Sequence, residues 1–352
     1  MLAARMHEYQ KPLAVEEGVP VTSPGQGEGV LVRVGGAGLC HSDLHLMGGE
    51  WKDAIPLPLP MTPGHEVAGW VEEVGKGVPP GMFSKGDVVA VFGGWGCGAC
   101  PVCKRGDEQM CPKAQWPGLS RYDGGYAQFI YVPSYRFLVK AGPHVRPQEL
   151  APLTDAGLTP YRAIRRFRHL LLPGTAVAVV GIGGLGSYGI QYAKLLGPNS
   201  LAIAIDRSEK KLDLARSKLG ADHAVAISGQ ARKEVMELTG GRGVDLVVDC
   251  VGTESTIALS ASILARSGAL AVAGLFGSKI TVPLMPAVIN EHVVTGSLWG
   301  NYNELAEVVA LASQGKVRHV VQTFRLGDIN KAVEELREGR IAGRAVIVPE
   351  NH

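Results

Sequence analysis

The stretch Thr175-Ala-Val-Ala-Val-Val-Gly-Ile-Gly-Gly-Leu-Gly-Ser-Tyr-Gly-Ile-Gln191 constrains the fold of this chain more than any other. An apolar, β-branched run passes through Gly181-x-Gly183-x-x-Gly186 into a helix-like segment. In a chain with 47 glycines that pattern alone is weak. Its context strengthens it, because Asp206 closes the next apolar run twenty residues past Gly186, as a dinucleotide-binding βαβ unit requires. The first glycine allows a tight turn, the second lets the backbone approach a pyrophosphate, and the third permits helix–strand packing. With Gly184 and Leu185 they make a loop that opens onto the free N–H groups of a helix N-terminus. Asp206 would accept hydrogen bonds from the adenosine ribose and repel a 2′-phosphate, which favours NAD over NADP. Arg207 beside it can accommodate such a phosphate. The plainer role for Asp206 is a helix N-cap.

The rest of the chain falls into two rhythms. From about residue 155, apolar runs such as "SLAIAID", "HAVAI", "VDLVVDCVG" and "ALAVAGLFG" alternate with helical segments "SEKKLDLARSKLG", "KEVMELTG" and "ESTIALSASILARSG". That alternation predicts an α/β fold with a Rossmann, doubly wound parallel sheet. Before about residue 150, "GVLVRVGGAGLC", "VAGWVEEVG", "GDVVAVFGG" and "GGYAQFIYVP" read as strands between turns, with no long helical pattern. This half is expected to be a mainly β, barrel- or sandwich-like unit. The expected domains are 1–154, 155–296, and a return of 297–352 to the first, with helices and a final strand. A length of 352 residues fits two domains. The net charge of +2, with scattered basic residues, gives no footprint for nucleic acid. No signal peptide and no apolar run long enough for a membrane span is seen, so a cytoplasmic protein is expected.

Four of the six cysteines, Cys97, Cys100, Cys103 and Cys111, share one lobe, about 93–114, with the spacing C-x2-C-x2-C-x7-C. In a reducing compartment such a cluster points to metal rather than disulfides. Four thiolates can close a tetrahedral, structural Zn²⁺ site. The rival is an iron–sulfur cluster, whose bacterial pattern has three residues before the last cysteine where this chain has seven. Cys40 in "GLCHSDLH" and His65 in "PGHE" are weaker signals by themselves, since a buried Cys and a core His are common.

Taken in order, "GLCHSDLH", "PGHEVAGWVEEVG", the four-cysteine lobe, "VVGIGGLG" with Asp206, and the C-terminal "GRAVI" resemble a zinc-dependent alcohol dehydrogenase of the medium-chain dehydrogenase/reductase family. The match runs through nearly the full length. The resemblance implies a GroES-like catalytic domain beside the NAD-binding one, and two Zn²⁺ per chain. It makes Cys40 and His65 catalytic zinc ligands, and Glu66 an acidic neighbour that assists ligand exchange. Asp43 becomes the carboxylate that orients the ligating histidine. Ser42 becomes the hydroxyl facing the substrate, and His45 the outer end of a proton relay. Thr159, Leu275 and Arg344 become cofactor contacts, Arg344 at the pyrophosphate. Trp95 and Trp116 fall where related microbial enzymes line a substrate pocket. His45 as a surface histidine, and either tryptophan as plain core, remain the bland alternatives.

The family most often has a Cys as third ligand of the catalytic zinc. Here the matching position, in "TDAGLT", holds Asp155. A carboxylate is a competent zinc ligand; the rival role for Asp155 is a helix cap. The resemblance then implies NAD-linked, reversible oxidation of primary or secondary alcohols to aldehydes or ketones by a homo-oligomer, a tetramer or dimer, with substrate and cofactor in an interdomain cleft. A polyol or amino-alcohol dehydrogenase with the same site is the alternative. A non-catalytic nucleotide-binding or redox-sensing protein is the alternative of another class.

Overall fold

The computed structural model describes residues 1–349. They form two compact units, one of Met1–Ala156 with Gly300 onward, the other of Gly157–Trp299. No described helix is long and apolar enough to cross a membrane.

The first unit opens with the antiparallel pair β1 (Ala3–Arg5) and β2 (Ala14–Glu16). Its main sheet takes β3 (Val30–Leu39), β4 (Glu66–Val74), β5 (Val88–Val91), β6 (Phe129–Val132) and β7 (Leu138–Lys140). Short helices α1 (His41–Gly48), α2 (Pro101–Lys104) and α3 (Pro147–Leu150) sit in the connections. Helix α1 was not expected from the sequence. It is eight residues long, and the residues it buries are Asp43, Leu46 and Met47, so no apolar stripe of helical period announces it.

The second unit runs α4 (Leu158–Arg166), β8 (Ala176–Val180), α5 (Gly186–Leu196), β9 (Leu201–Asp206), α6 (Glu209–Leu214), β10 (His223–Ala226), α7 (Ala231–Leu238), β11 (Val244–Asp249), α8 (Glu254–Ser262), β12 (Leu264–Val272), α9 (Leu284–Ile289) and β13 (Val293–Gly296). Its six strands are all parallel, ordered β10-β9-β8-β11-β12-β13. In order of appearance that is 3-2-1-4-5-6, the Rossmann order, with its switch point between β8 and β11. Two details differ from the expected elements. The segment read as one helix through "ILARSG" turns into strand at Leu264, which pairs with Val244. The short β13 was not foreseen, because four half-exposed residues carry little periodicity.

The chain then returns to the first unit through α10 (Tyr302–Ser313), β14 (Val321–Arg325), α11 (Ile329–Arg337) and β15 (Arg344–Val348). Of the two strands only the last was expected; β14 alternates weakly and is half exposed. The main sheet is ordered β14-β15-β3-β4-β5-β7, and β3 also pairs with β6. Strand β3 meets β6 over Val30–Arg33 and β15 over Ala37–Leu39, so it passes from one neighbour to another. The register places Gly38 opposite Glu66 and Leu39 opposite Ala345. Cys40, His65, Glu66 and Arg344 therefore meet at one end of the sheet, although up to about three hundred residues separate them in the chain.

Candidate functional site

At that end of the sheet, ligand atoms of Cys40, His65, Glu66 and Asp155 all lie within 4.8 Å of one another. Cys40 is the N-cap residue of α1, and its N–H donates to Asp43 Oδ2 at 2.8 Å. The fully buried Asp43 also accepts from Tyr126 Oη at 2.9 Å, and its Oδ1 lies 3.3 Å from His65 Nδ1. An ionised carboxylate only accepts, so His65 carries a hydrogen on Nδ1 and points Nε2 toward the cluster, where a bound metal would take its lone pair. Gly64, at φ +100°, delivers the ring; a Cβ there would run into the Tyr126 ring at 2.7 Å.

His65 Nε2 stands 3.2 Å from Asp155 Oδ2, and Cys40 Sγ 4.0 Å from the same oxygen. Bonds of tetrahedral zinc give ligand–ligand edges of about 3.3 Å for N and O and about 3.5 Å for S and O. The thiol, imidazole and carboxylate donors therefore suit Zn²⁺ in chemistry and nearly in spacing. Their electrostatics ask for a cation. Burial by itself disfavours the His65 imidazolium, yet the charge of Asp43 and hydrogen bonds with Asp155, Asp43 and Cys40 hold it well above the ordinary histidine value. Ser42 Oγ lies 3.6 Å from Cys40 Sγ. Asp155 precedes α4, whose N-cap is Gly157.

Glu66 faces the same cluster but is held from the other side. Arg344 Nε donates to its Oε2 at 2.8 Å, Arg344 Nη2 pairs with Oε1, and the Ala156 N–H donates to Oε1 at 3.0 Å. Burial pushes the Glu66 carboxyl up to about 7, against the pull of the Arg344 charge. The structure thus places Arg344, expected at a pyrophosphate, in a buried ion pair with Glu66.

The four-cysteine lobe follows β5. Sγ separations are 4.0 Å for Cys97 and Cys103, 3.5 Å for Cys100 and Cys103, and 3.8 Å for Cys100 and Cys111. A tetrahedron of zinc–sulfur bonds has an edge of about 3.8 Å, and a disulfide would need about 2.05 Å. Backbone N–H groups of Cys103 and Lys113 point at the sulfurs of Cys100 and Cys111. Hydrogen bonds from the backbone at Ala99 and Cys100 bring the Cys97 thiol down to about 6, while burial pushes Cys103 up to about 12.

In the second unit the glycine loop joins β8 to α5. A Cβ on Gly186 would collide with the Gly181 carbonyl oxygen, whereas one on Gly183 would meet no protein atom within 4 Å. Close packing explains Gly186; at Gly183 the space a side chain would fill is open, as a phosphate approaching the backbone needs. Asp206 Oδ2 accepts the Ile182 N–H at 2.6 Å and Oδ1 the Ser208 N–H at 2.9 Å, tying the acidic residue to the loop. The N-cap of α6 is Ser208, not Asp206. Arg207 is exposed, Thr159 is buried in the first turn of α4, and Leu275 is 61% exposed beyond β12.

The two tryptophans differ. Trp95 is buried, donates its indole N–H to the Phe92 carbonyl at 2.6 Å, and packs on Tyr122 and Phe137 as a core residue does. Trp116 is half-buried, and its indole N–H is buried without a partner in the described structure. Sequence reasoning missed Tyr126, which "GGYAQF" presents as an ordinary strand residue, and the pairing of Glu66 with Arg344. No local signal marks either, although Gly64 in "PGHE" hints at a bulky neighbour.

Residues 25–143 match the family "Alcohol dehydrogenase GroES-like domain" and residues 184–314 the family "Zinc-binding dehydrogenase". An NAD-dependent alcohol dehydrogenase of Sulfurisphaera tokodaii is 37% identical, over 99% of this chain and 100% of that protein. A D-arabinose 1-dehydrogenase (NADP(+)) of Saccharolobus solfataricus is 38% identical, over 99% of this chain and 97% of its own. Among solved structures, the alcohol dehydrogenase of Aeropyrum pernix superposes with a TM-score of 0.92 at 42% identity, covering 99% of this chain and 100% of that one.

Proposed function

The chain belongs to the zinc-dependent alcohol dehydrogenases of the medium-chain dehydrogenase/reductase family, and on that premise we propose that it catalyses NAD-linked, reversible oxidation of primary or secondary alcohols to aldehydes or ketones. The observation that carries the reading is the convergence of Cys40, His65 and Asp155 beside the start of α1. Zinc held by these three residues supplies Lewis acidity toward a substrate oxygen. A second zinc, in the lobe of Cys97, Cys100, Cys103 and Cys111, supplies structure alone, because four thiolates leave no open position. NAD supplies the hydride acceptor.

The chain's own residues then have separate tasks. Asp43 and Tyr126 hold His65 in one tautomer. Ser42 takes the proton from the alcohol, and His45 lies one turn along the same helix, at i+3, to pass it outward. Glu66, held between the other candidate ligands and Arg344, would assist ligand exchange at a bound metal. Gly181, Gly183, Gly184, Leu185 and Gly186 receive the pyrophosphate, with Asp206 at the ribose and Thr159 and Leu275 as further cofactor contacts, while Arg344 serves Glu66 in their buried ion pair. Trp116 lines the alcohol pocket, whereas Trp95, expected there too, packs in the core against Tyr122 and Phe137.

A homo-oligomer is part of this reading. Leu284, Met285, Val288 and Ile289 on α9 and Val293 on β13 are exposed, and β13 is the last strand of its sheet. Such a patch and edge suit a second copy of the chain. A cytoplasmic setting suits thiols that must stay reduced to bind metal.

A sugar or polyol hydroxyl is a second reading, favoured by the 38% identical D-arabinose 1-dehydrogenase (NADP(+)), with Arg207 available to a 2′-phosphate. A panel of alcohols, polyols and aldoses, run with NAD and with NADP on protein of measured zinc content, separates the two. Turnover of simple alcohols with NAD at two zinc per chain is the expected result. No turnover of any of these substrates in a fully zinc-loaded sample would overturn both readings.

A further inference from the structure

The C-terminal end of α1 carries a histidine–carboxylate contact that none of the roles above uses. The helix stops at Gly49, at φ +78°. The Gly49 N–H donates to the Leu46 carbonyl and the Glu50 N–H to the His45 carbonyl, each at 3.1 Å. Those two bonds make a Schellman motif, which folds the residue after the left-handed glycine back over His45 in the last turn of the helix. Such motifs usually close with an apolar contact. Here Glu50 Oε2 lies 2.5 Å from His45 Nδ1 instead. Trp51 then stacks on the imidazole, with ring centroids 5.2 Å apart and planes at 23°.

An ionised carboxylate only accepts hydrogen bonds, so Nδ1 carries the hydrogen in that contact and the neutral ring presents its lone pair at Nε2. We propose that Glu50 is a positioning residue for proton transfer, which holds His45 in the Nδ1–H tautomer with Nε2 as the accepting atom. The inference rests on the reading of His45 as the outer end of the proton path. When Nε2 takes the proton released by the alcohol and relayed by Ser42, an N–H bond forms as an O–H bond breaks, and no electron changes hands at His45. The Glu50 carboxylate offsets the imidazolium charge until the proton leaves to water. Trp51 limits the ring's rotation. The side chain of Glu50 is 62% exposed and that of His45 is 17% exposed, so water screens the pair and its effect on rate is modest.

The test uses the full chain loaded with zinc and compares Glu50→Gln, Glu50→Ala and His45→Ala. The readouts are single-turnover NADH formation with a simple alcohol, KM, zinc content, and the ring ¹⁵N signals of His45. Glu50→Gln and Glu50→Ala are expected to slow NADH formation about two- to fivefold, leave KM and zinc unchanged, and move His45 away from the Nδ1–H tautomer. If His45→Ala slows the reaction while both Glu50 variants keep the parent rate and tautomer, Glu50 has no such role. If His45→Ala does not slow it, the proton path itself is misassigned, and the inference goes with it.

Discussion

The two clusters in the first unit that could hold a metal ion are built on opposite plans. Cys97, Cys100, Cys103 and Cys111 lie within fifteen residues of one another, joined by turns and the four-residue α2. Cys40, His65, Glu66 and Asp155 come from the end of β3, the start of β4 and the segment before α4. One cluster offers four like donors; the other mixes thiol, imidazole and carboxylates, and its Cys40, His65 and Glu66 are each held by a residue outside it, Asp43 for the first two and Arg344 for the third. The lesson is that a local loop suffices to gather four like donors for a closed metal site, whereas a mixed donor set that would leave a position open is oriented by the whole sheet.

The strongest way to break that contrast is Asp155→Ala. It should lower kcat/KM by about 10³-fold, the several kcal/mol that Lewis-acid charge stabilisation contributes. One of two zinc equivalents per chain should leave, with the lobe's zinc retained; Asp155→Cys should restore metal content. Full activity and full zinc in the Ala variant would remove Asp155 from the site. Next in size is Cys103→Ser in the lobe. Loss of its metal should drop the melting midpoint by roughly 5–10 °C, the shift for about 2–3 kcal/mol, while activity per folded chain at low temperature stays near the parent value. An unchanged midpoint with four-thiol metal binding lost would mean the lobe does not stabilise the fold. Smallest is Tyr126→Phe, which removes one donor to Asp43. Zinc affinity at the mixed cluster should weaken about tenfold, at the lower end for an outer-sphere partner of a metal-ligating histidine, and the lobe should be unaffected. A competitive chelator titration read by metal release measures both sites at once.

Legibility followed the same division. The four cysteines and the glycine loop could be read directly, since their partners are near in sequence and their spacing is the signal. Cys40 and His65 were visible only as two unremarkable residues until the order of motifs connected them. Helix α1 escaped notice, although it carries Ser42, Asp43 and His45, because its two turns bury an aspartate where an apolar residue would betray the period. Trp95 and Trp116 look alike in sequence; only packing separates a ring whose N–H is satisfied in the core from one whose N–H is left without a partner.

The sequence by itself determined the strand–helix alternation of the second unit, the turn at Gly181 with the acidic residue past it, and the four-thiol lobe. Each depends on contacts within one supersecondary unit, where periodicity and turn chemistry decide the outcome. Only the tertiary structure decided that Glu66 is gripped by Arg344 across a separation of 278 residues, that Tyr126 steadies Asp43, and that Asp155 reaches His65. The first of those meetings follows from the register of β3 between β4 and β15. A shift of one residue there would turn every side chain to the other face, and no short stretch of chain records which register the packed sheet adopts.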